Sequence, residues 1–125
     1  MFVRSSYEVP GVEWGNGNSY RLLVESDGMG FAVAHTVVEA GTESRMQYTR
    51  HLEACYCISG KGEIRSADED LAFSLEPGVL YVLDRHDRHV LIAGDEADMH
   101  LLSVFNPPID GTERHVLSPD GFSSY

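Results

Sequence analysis

Apolar and polar residues alternate in short runs along this chain, and no run carries the three-to-four-residue repeat of an amphipathic helix. "SYRLLVES" gives way to "DGMG" and then to "FAVAHTVVEAGT"; "LAFSLEPGVLYVLD" is broken at Pro77-Gly78; "HVLIAG" and "DMHLLSVFNPP" follow. Each apolar stretch is rich in β-formers, is long enough for one strand and is bounded by turn residues. Within "ACYCISGKGEIRS" the turn residues Ser59–Gly62 predict a hairpin. Many short strands at regular spacing, with no helix, predict an all-β barrel or sandwich. The ends, "YEVPGVEWGNG" and "SPDGFSSY", read as irregular. The expected organisation is a single domain over 1–125, with an N-terminal arm over about 1–18 and a C-terminal tail over about 106–125.

Composition narrows the function. A chain of 125 residues is long enough for one hydrophobic core. Its net charge of −11, with Lys61 as the only lysine, argues against a nucleic-acid partner, since binding phosphates needs clustered cations. No stretch reaches the roughly eighteen apolar residues of a membrane span, and the N-terminus lacks the apolar core of a signal peptide. The expectation is a soluble, cytoplasmic protein without a membrane partner. Cys55 and Cys57 are two apart, so on a strand they share a face. They read as buried reduced thiols, because a metal site built on them lacks partner ligands.

The stretch "HLEACYCISGKGEI" aims His51 and Glu53 at one face of a strand. Its surroundings fit the cupin pattern G-x5-H-x-H-x3-E-x6-G followed by a block with P-G. Gly41, Glu53, Gly60 and Pro77-Gly78 fall on that pattern, which predicts a small jelly-roll-like β-barrel. Three ligand slots are changed: Gln47 and Thr49 stand in the histidine positions and Tyr81 in the last one. One reading is a cupin that has lost its metal. The other notes that Glu53, Tyr81 and the histidines of "DRHDRH", His86 and His89, offer a carboxylate, a phenol and an imidazole. That set suits a hard or borderline cation and leaves open positions for substrate. The phenol must lose its proton, which a cation assists.

The blocks "GTESRMQYTRHLEACYCISGKGEI", "PGVLYVLDRHDRH", "VFNPPIDGTERH" and "DGFSSY" together resemble ectoine synthase, a cupin enzyme family of compatible-solute biosynthesis and stress response. The resemblance runs from about Asn16 to the C-terminus. It implies a lyase that closes N-gamma-acetyl-2,4-diaminobutyrate into a cyclic amidine with loss of water. It implies a homodimer, and iron(II) held by Glu53, Tyr81 and His89, with zinc or manganese as alternatives. The family's substrate contacts fall on Arg21, Thr36, Tyr48, His51, Gly60, Leu83, Phe105, Glu113 and His115. Two positions depart. Gly17 stands where the family has a tryptophan, with Trp14 three residues upstream as a candidate to swing in, and Ala34 stands where a polar amide is common.

Such a reaction needs a polarised amide carbonyl, an amine held against it and a route for protons. Glu113 and His115 are two apart and are expected to face together and shuttle protons, the carboxylate favouring a protonated imidazole. His51 is expected to orient the substrate or support Glu53. Arg21 fits a substrate carboxylate, and Phe105 and Leu83 form apolar walls. Tyr48 has the opposite parity to His51 and Glu53, so a bulge is expected between them if all face the interior. His35 and His100 match no motif and read as structural. Two other function classes stay open: a cupin enzyme of different chemistry on a related small acetylated amino acid, and a non-catalytic small-molecule-binding cupin.

Overall fold

The structure, a computed structural model, describes residues 1–125. In chain order its strands are β1 (Gly11–Glu13), β2 (Gly17–Leu23), β3 (Ala32–Val38), β4 (Glu43–Gln47), β5 (Leu52–Ser59), β6 (Gly62–Ser66), β7 (Ala72–Leu75), β8 (Leu80–Leu83), β9 (His89–Ala93), β10 (Met99–Asn106), β11 (Val116–Leu117) and β12 (Ser123–Ser124). They form two six-stranded sheets. The first runs β1-β2-β3-β10-β5-β8 and the second β11-β12-β4-β9-β6-β7. Buried side chains of both sheets share one core cluster, as in a cupin barrel.

Alternation decides which side chains enter that core. On β10, Met99, Leu101, Ser103 and Phe105 are buried, with less buried residues between them. On β5, Glu53, Cys55 and Cys57 point inward while Leu52, Tyr56 and Ile58 are exposed. Both cysteines are free thiols. The inner face thus mixes apolar residues with a carboxylate, and that mixture sets up the site.

Three local expectations need correction. Ser59–Gly62 is not a hairpin turn: β5 lies in the first sheet and β6 in the second, so the turn carries the chain across the barrel. Gly60 there has φ 82°, and a Cβ would lie 2.6 Å from the Asp98 carbonyl oxygen, so a close backbone approach requires glycine. Second, no bulge is needed for Tyr48. It follows the last residue of β4, and β5 begins in the other sheet, so its parity is independent of Glu53. Third, the ends are not wholly irregular. The arm contains β1, paired with β2, and the tail contains β11 and β12, with β12 parallel to β4. Strands of two or three residues are too short to leave a periodic signal.

Both ends are tied down. Arg4 makes a two-pronged contact with Asp27 at 2.7 Å and 2.7 Å and donates to the Leu22 carbonyl. Phe122 is 2% exposed and lies against the Arg45 and Arg88 guanidiniums at 4.9 and 4.2 Å. Leu101 is 1% exposed within the core cluster. Leu101→Ala is expected to lower unfolding free energy by about 2–5 kcal/mol, measured by denaturant titration.

Candidate active site

Strand register builds the site in rows across the first sheet. Arg21 pairs with Ala34, Ala34 with Ser103, Ser103 with Cys55 and Cys55 with Tyr81. The neighbouring row runs from Ala32 through Phe105 and Glu53 to Leu83. Small residues in the first row leave room above the sheet. Ser103 Oγ is satisfied by its neighbours: it lies 2.9 Å from Thr36 Oγ1, in an adjacent row, and 3.3 Å from the Cys55 thiol sulfur. Arg21 Nε donates to Ser19 Oγ at 3.3 Å. The second sheet contributes Met46 and Leu91, with Tyr48 beyond β4.

Glu53 and Tyr81 face inward on adjacent strands, one on either side of Cys55 in register. Burial pushes the Glu53 carboxyl up to about 8, with only the Cys55 thiol opposing that shift. Burial also pushes the Tyr81 phenol well above its usual range, and the nearby Cys55 and Glu53 add to this. His89 begins β9 on the facing sheet, paired with Met46 and two residues before Leu91, both of which line the cavity. Its Nδ1 lies 2.9 Å from the Asp87 carbonyl, which can only accept, so Nδ1 carries the proton. Nε2 is left buried with no hydrogen-bond partner. Burial lowers the His89 pKa, keeping the ring neutral. A buried lone pair, a buried carboxylate and a buried phenol fit a bound cation, which would reverse the cost of charging them. No cluster of three His, Cys, Asp or Glu side chains occurs in the protein, so a three-ligand set here needs the Tyr81 oxygen. His86 is turned elsewhere, its Nδ1 2.9 Å from the Tyr48 carbonyl.

The remaining expected residues divide. Arg21, Thr36, Tyr48, Phe105 and His115 line the same cavity as Glu53 and Tyr81. His115 Nε2 lies 3.4 Å from the Tyr48 hydroxyl and Nδ1 3.0 Å from Ser123 Oγ. Burial, then His89 and Arg21, lower the His115 pKa to about 4, so the imidazole is neutral. This corrects the expected Glu113–His115 pair. The Glu113 carboxylate instead accepts from the amides of Asp110 and Gly111 and lies 3.8 Å from Arg21 Nη1. The bend lies upstream at Gly111, so the Glu113 carboxylate meets the amides of its own loop, while His115 is half-buried beyond exposed Arg114. His51 sits behind the cavity, its Nδ1 donating to Pro107 O at 2.7 Å and its ring edge-on to Phe105 at 6.1 Å. Leu83 is buried beside Glu53. Gly60 lies past the far end of β5, seven residues from Glu53, a span of roughly 23 Å at strand rise. His35 and His100 bond each other at 2.8 Å away from the cavity, as structural residues do.

Trp14, the expected stand-in for position 17, and Tyr125, which was not among the expected site residues, both line the cavity. The Tyr125 ring lies 4.7 Å from His115, 5.0 Å from Tyr48 and 5.8 Å from the Arg21 guanidinium. The cavity that it helps to line holds about 20 Å³, room for about one water. Nothing near Tyr125 in sequence announces this, because β12 folds back onto β4.

The sign of one pH effect follows. The folded Glu53 carboxyl, at about 8, binds its proton more tightly than an unfolded one near 4.5. Below about 4.5 both states are protonated and the group is neutral to stability. Metal-free protein is therefore expected to lose stability as pH rises from about 4.5 to about 8, and Glu53→Gln is expected to flatten that slope in denaturant titrations run with chelator.

Comparison with known proteins agrees with this geometry. The family model described as ectoine synthase matches residues 2–122. The chain is 47% identical over 121 residues to the L-ectoine synthase of Desulfatibacillum aliphaticivorans, covering 92% of each. It is 42% identical over 113 residues to that of Halalkalibacterium halodurans, covering 90% of this chain and 84% of the other. Among solved structures, the ectoine synthase from P. lautus superposes with a TM-score of 0.83 at 39% identity, over 90% of this chain and 83% of that one. The polyketide cyclase RemF from Streptomyces resistomycificus, at 18% identity and a TM-score of 0.74, shares the fold. A cupin barrel with this inward set, matched over nearly its whole length, belongs to the ectoine synthase family of carbon–oxygen hydro-lyases.

Proposed function

We propose that this protein closes N-gamma-acetyl-2,4-diaminobutyrate to ectoine with loss of water, using a cation held by Glu53, Tyr81 and His89. The observation that carries the metal part is the buried His89 Nε2 lone pair, unpartnered and on the inward face of β9. Iron(II) suits the phenol-containing set, and zinc or manganese are accepted by the same donors. When bound, the cation supplies Lewis acidity that draws electron density from the substrate's amide carbonyl.

The chain's own groups do the rest. The α-amine nitrogen bonds to the acetyl carbonyl carbon, the carbonyl C–O bond breaks, and the oxygen leaves as water with two protons from the nitrogens. The Arg21 guanidinium holds the carboxylate end, which fixes the flexible chain in a folded pose. Glu113, 3.8 Å from Arg21, sets the position of that guanidinium rather than moving protons. His115 is neutral and next to the Tyr48 hydroxyl, so it can take a proton released by the amine. Phe105, Leu91 and Tyr125 exclude bulk water. Tyr125 must lift to admit the substrate, and β12 is tied to β4 by only two residue pairs.

The reading places the protein in the cytoplasm as a homodimer with no nucleic-acid or membrane partner. No helix is long and apolar enough to cross a membrane. The outer face of β5 and β8 exposes Tyr56, Ile58, Leu80 and Val82, with Tyr56 opposite Leu80, and an uncharged patch on an edge strand suits pairing with a second copy.

Two outcomes are expected. Iron-loaded protein converts the acetylated diaminobutyrate to ectoine, and Glu53→Ala, Tyr81→Ala and His89→Ala each reduce turnover to background and lower bound iron, read by metal analysis. Silent protein that still binds iron would point to a different cupin enzyme, and protein that binds no metal to a non-catalytic role. Leu80→Glu with Val82→Glu is expected to convert the dimer to monomer in sedimentation.

A further inference from the structure

We propose that the indole N–H of Trp14 is a second donor to the substrate's carboxylate, acting beside Arg21. The proposal rests on the cyclisation reading above. Four buried side-chain polar atoms in the protein lack a hydrogen-bond partner, and two of them, Trp14 Nε1 and Arg21 Nη1, belong to residues lining the cavity that holds Glu53 and His115. Both are obligate donors. Natural interiors leave few such atoms unpaired, and those they leave call for an explanation such as an absent ligand. Glu113 does not fill the gap, since its oxygen is 3.8 Å from Arg21 Nη1, beyond hydrogen-bond reach. Ser19 Oγ is already engaged by Arg21 Nε. A ligand with two acceptor oxygens on one carbon satisfies both donors, and the proposed substrate brings one such group.

The backbone explains why the tryptophan stands at 14. Trp14 N donates to the Gly17 carbonyl, closing the turn between β1 and β2. A Cβ at Gly17 would lie 1.8 Å from the Val37 carbonyl oxygen, so no side chain fits there. That same Cβ would lie 3.3 Å from Trp14 Nε1, which puts the indole over the space a residue at 17 would have entered. The aromatic that the family carries at this slot is therefore supplied from three residues upstream. Its ring rests 5.9 Å from His115, on the floor shared with the proton-accepting imidazole.

Trp14 is the only tryptophan in the chain, so its fluorescence reports this site alone. Wild-type protein is titrated with N-gamma-acetyl-2,4-diaminobutyrate and with N-acetyl-1,3-diaminopropane, the same molecule without its carboxylate. The expected result is a saturable emission change with the first and a much weaker one with the second. In calorimetry, Trp14→Phe, which keeps the aromatic packing and removes the donor, is expected to weaken binding of the carboxylated ligand about 10-fold. It is expected to leave binding of the decarboxylated ligand within about twofold. Equal affinity of Trp14→Phe and wild type for the carboxylated ligand overturns the proposal, as does an equal loss on both ligands. Turnover by wild type tests the cyclisation reading separately: an enzyme that makes ectoine yet shows no Trp14→Phe penalty keeps that reading and loses this one. A thermal melt of the variant within a few degrees of wild type confirms that the comparison is between folded proteins, and Trp14→Tyr offers a second aromatic replacement lacking the indole donor.

Discussion

An acidic side chain has been placed inside a barrel core, away from bulk water, and much of this molecule follows from that. Glu53 is 5% exposed on the inner face of β5, and burial alone lifts its carboxyl to about 8. A group in that position costs free energy when charged unless an opposite charge joins it. The facing sheet supplies a neutral imidazole with a bare nitrogen, and the adjacent strand supplies a phenol. In the proposed function a cation would join these three groups, and without one burial holds all three toward their neutral forms.

Division of labour between the sheets follows. The first sheet carries two cross-strand rows, one of small and hydroxyl residues ending at Arg21, the other holding Phe105 and Glu53. Because Ala34 and Ser103 are small, space opens above them, and Arg21 lies 8% exposed with Nη1 unpartnered. The second sheet closes the volume with Met46, Leu91 and Tyr48. The tail then folds back, anchored by Phe122 against two arginines, and places Tyr125 in the cavity wall.

The two departures from the family pattern have different physical meanings. At position 17 the backbone has no room for a side chain, and the turn compensates by presenting Trp14. At position 34 the residue is wholly buried between Arg21 and Ser103 in register, where alanine is a smaller side chain than an amide. In the proposal above the first departure keeps a donor by another route, while the second removes polar atoms. Family membership and local chemistry are separable in this way because the barrel fixes strand register, whereas the turns between strands are free to vary.

What the sequence determined was the barrel and the identity of its inward chemistry. Period-two alternation marks the longer strands, and Glu53, Tyr81 and His89 fall on inward strand positions because the period of a strand is fixed by its geometry. What only the tertiary structure decided was everything that depends on a turn or on a return of the chain. The parity of Tyr48 against Glu53 was unreadable because the chain changes sheets between them. The spacing of Glu113 and His115 suggested a charged pair, but the carboxylate is held by the Asp110 and Gly111 amides near Arg21 and burial keeps the imidazole neutral, neither of which spacing reveals. Gly60 matches a motif yet sits at the other end of β5, since sequence proximity along a strand is distance in space. Trp14 and Tyr125 carry no periodic signal at all. Their places come from contacts between segments far apart in the chain, and such contacts are set by packing rather than by local pattern.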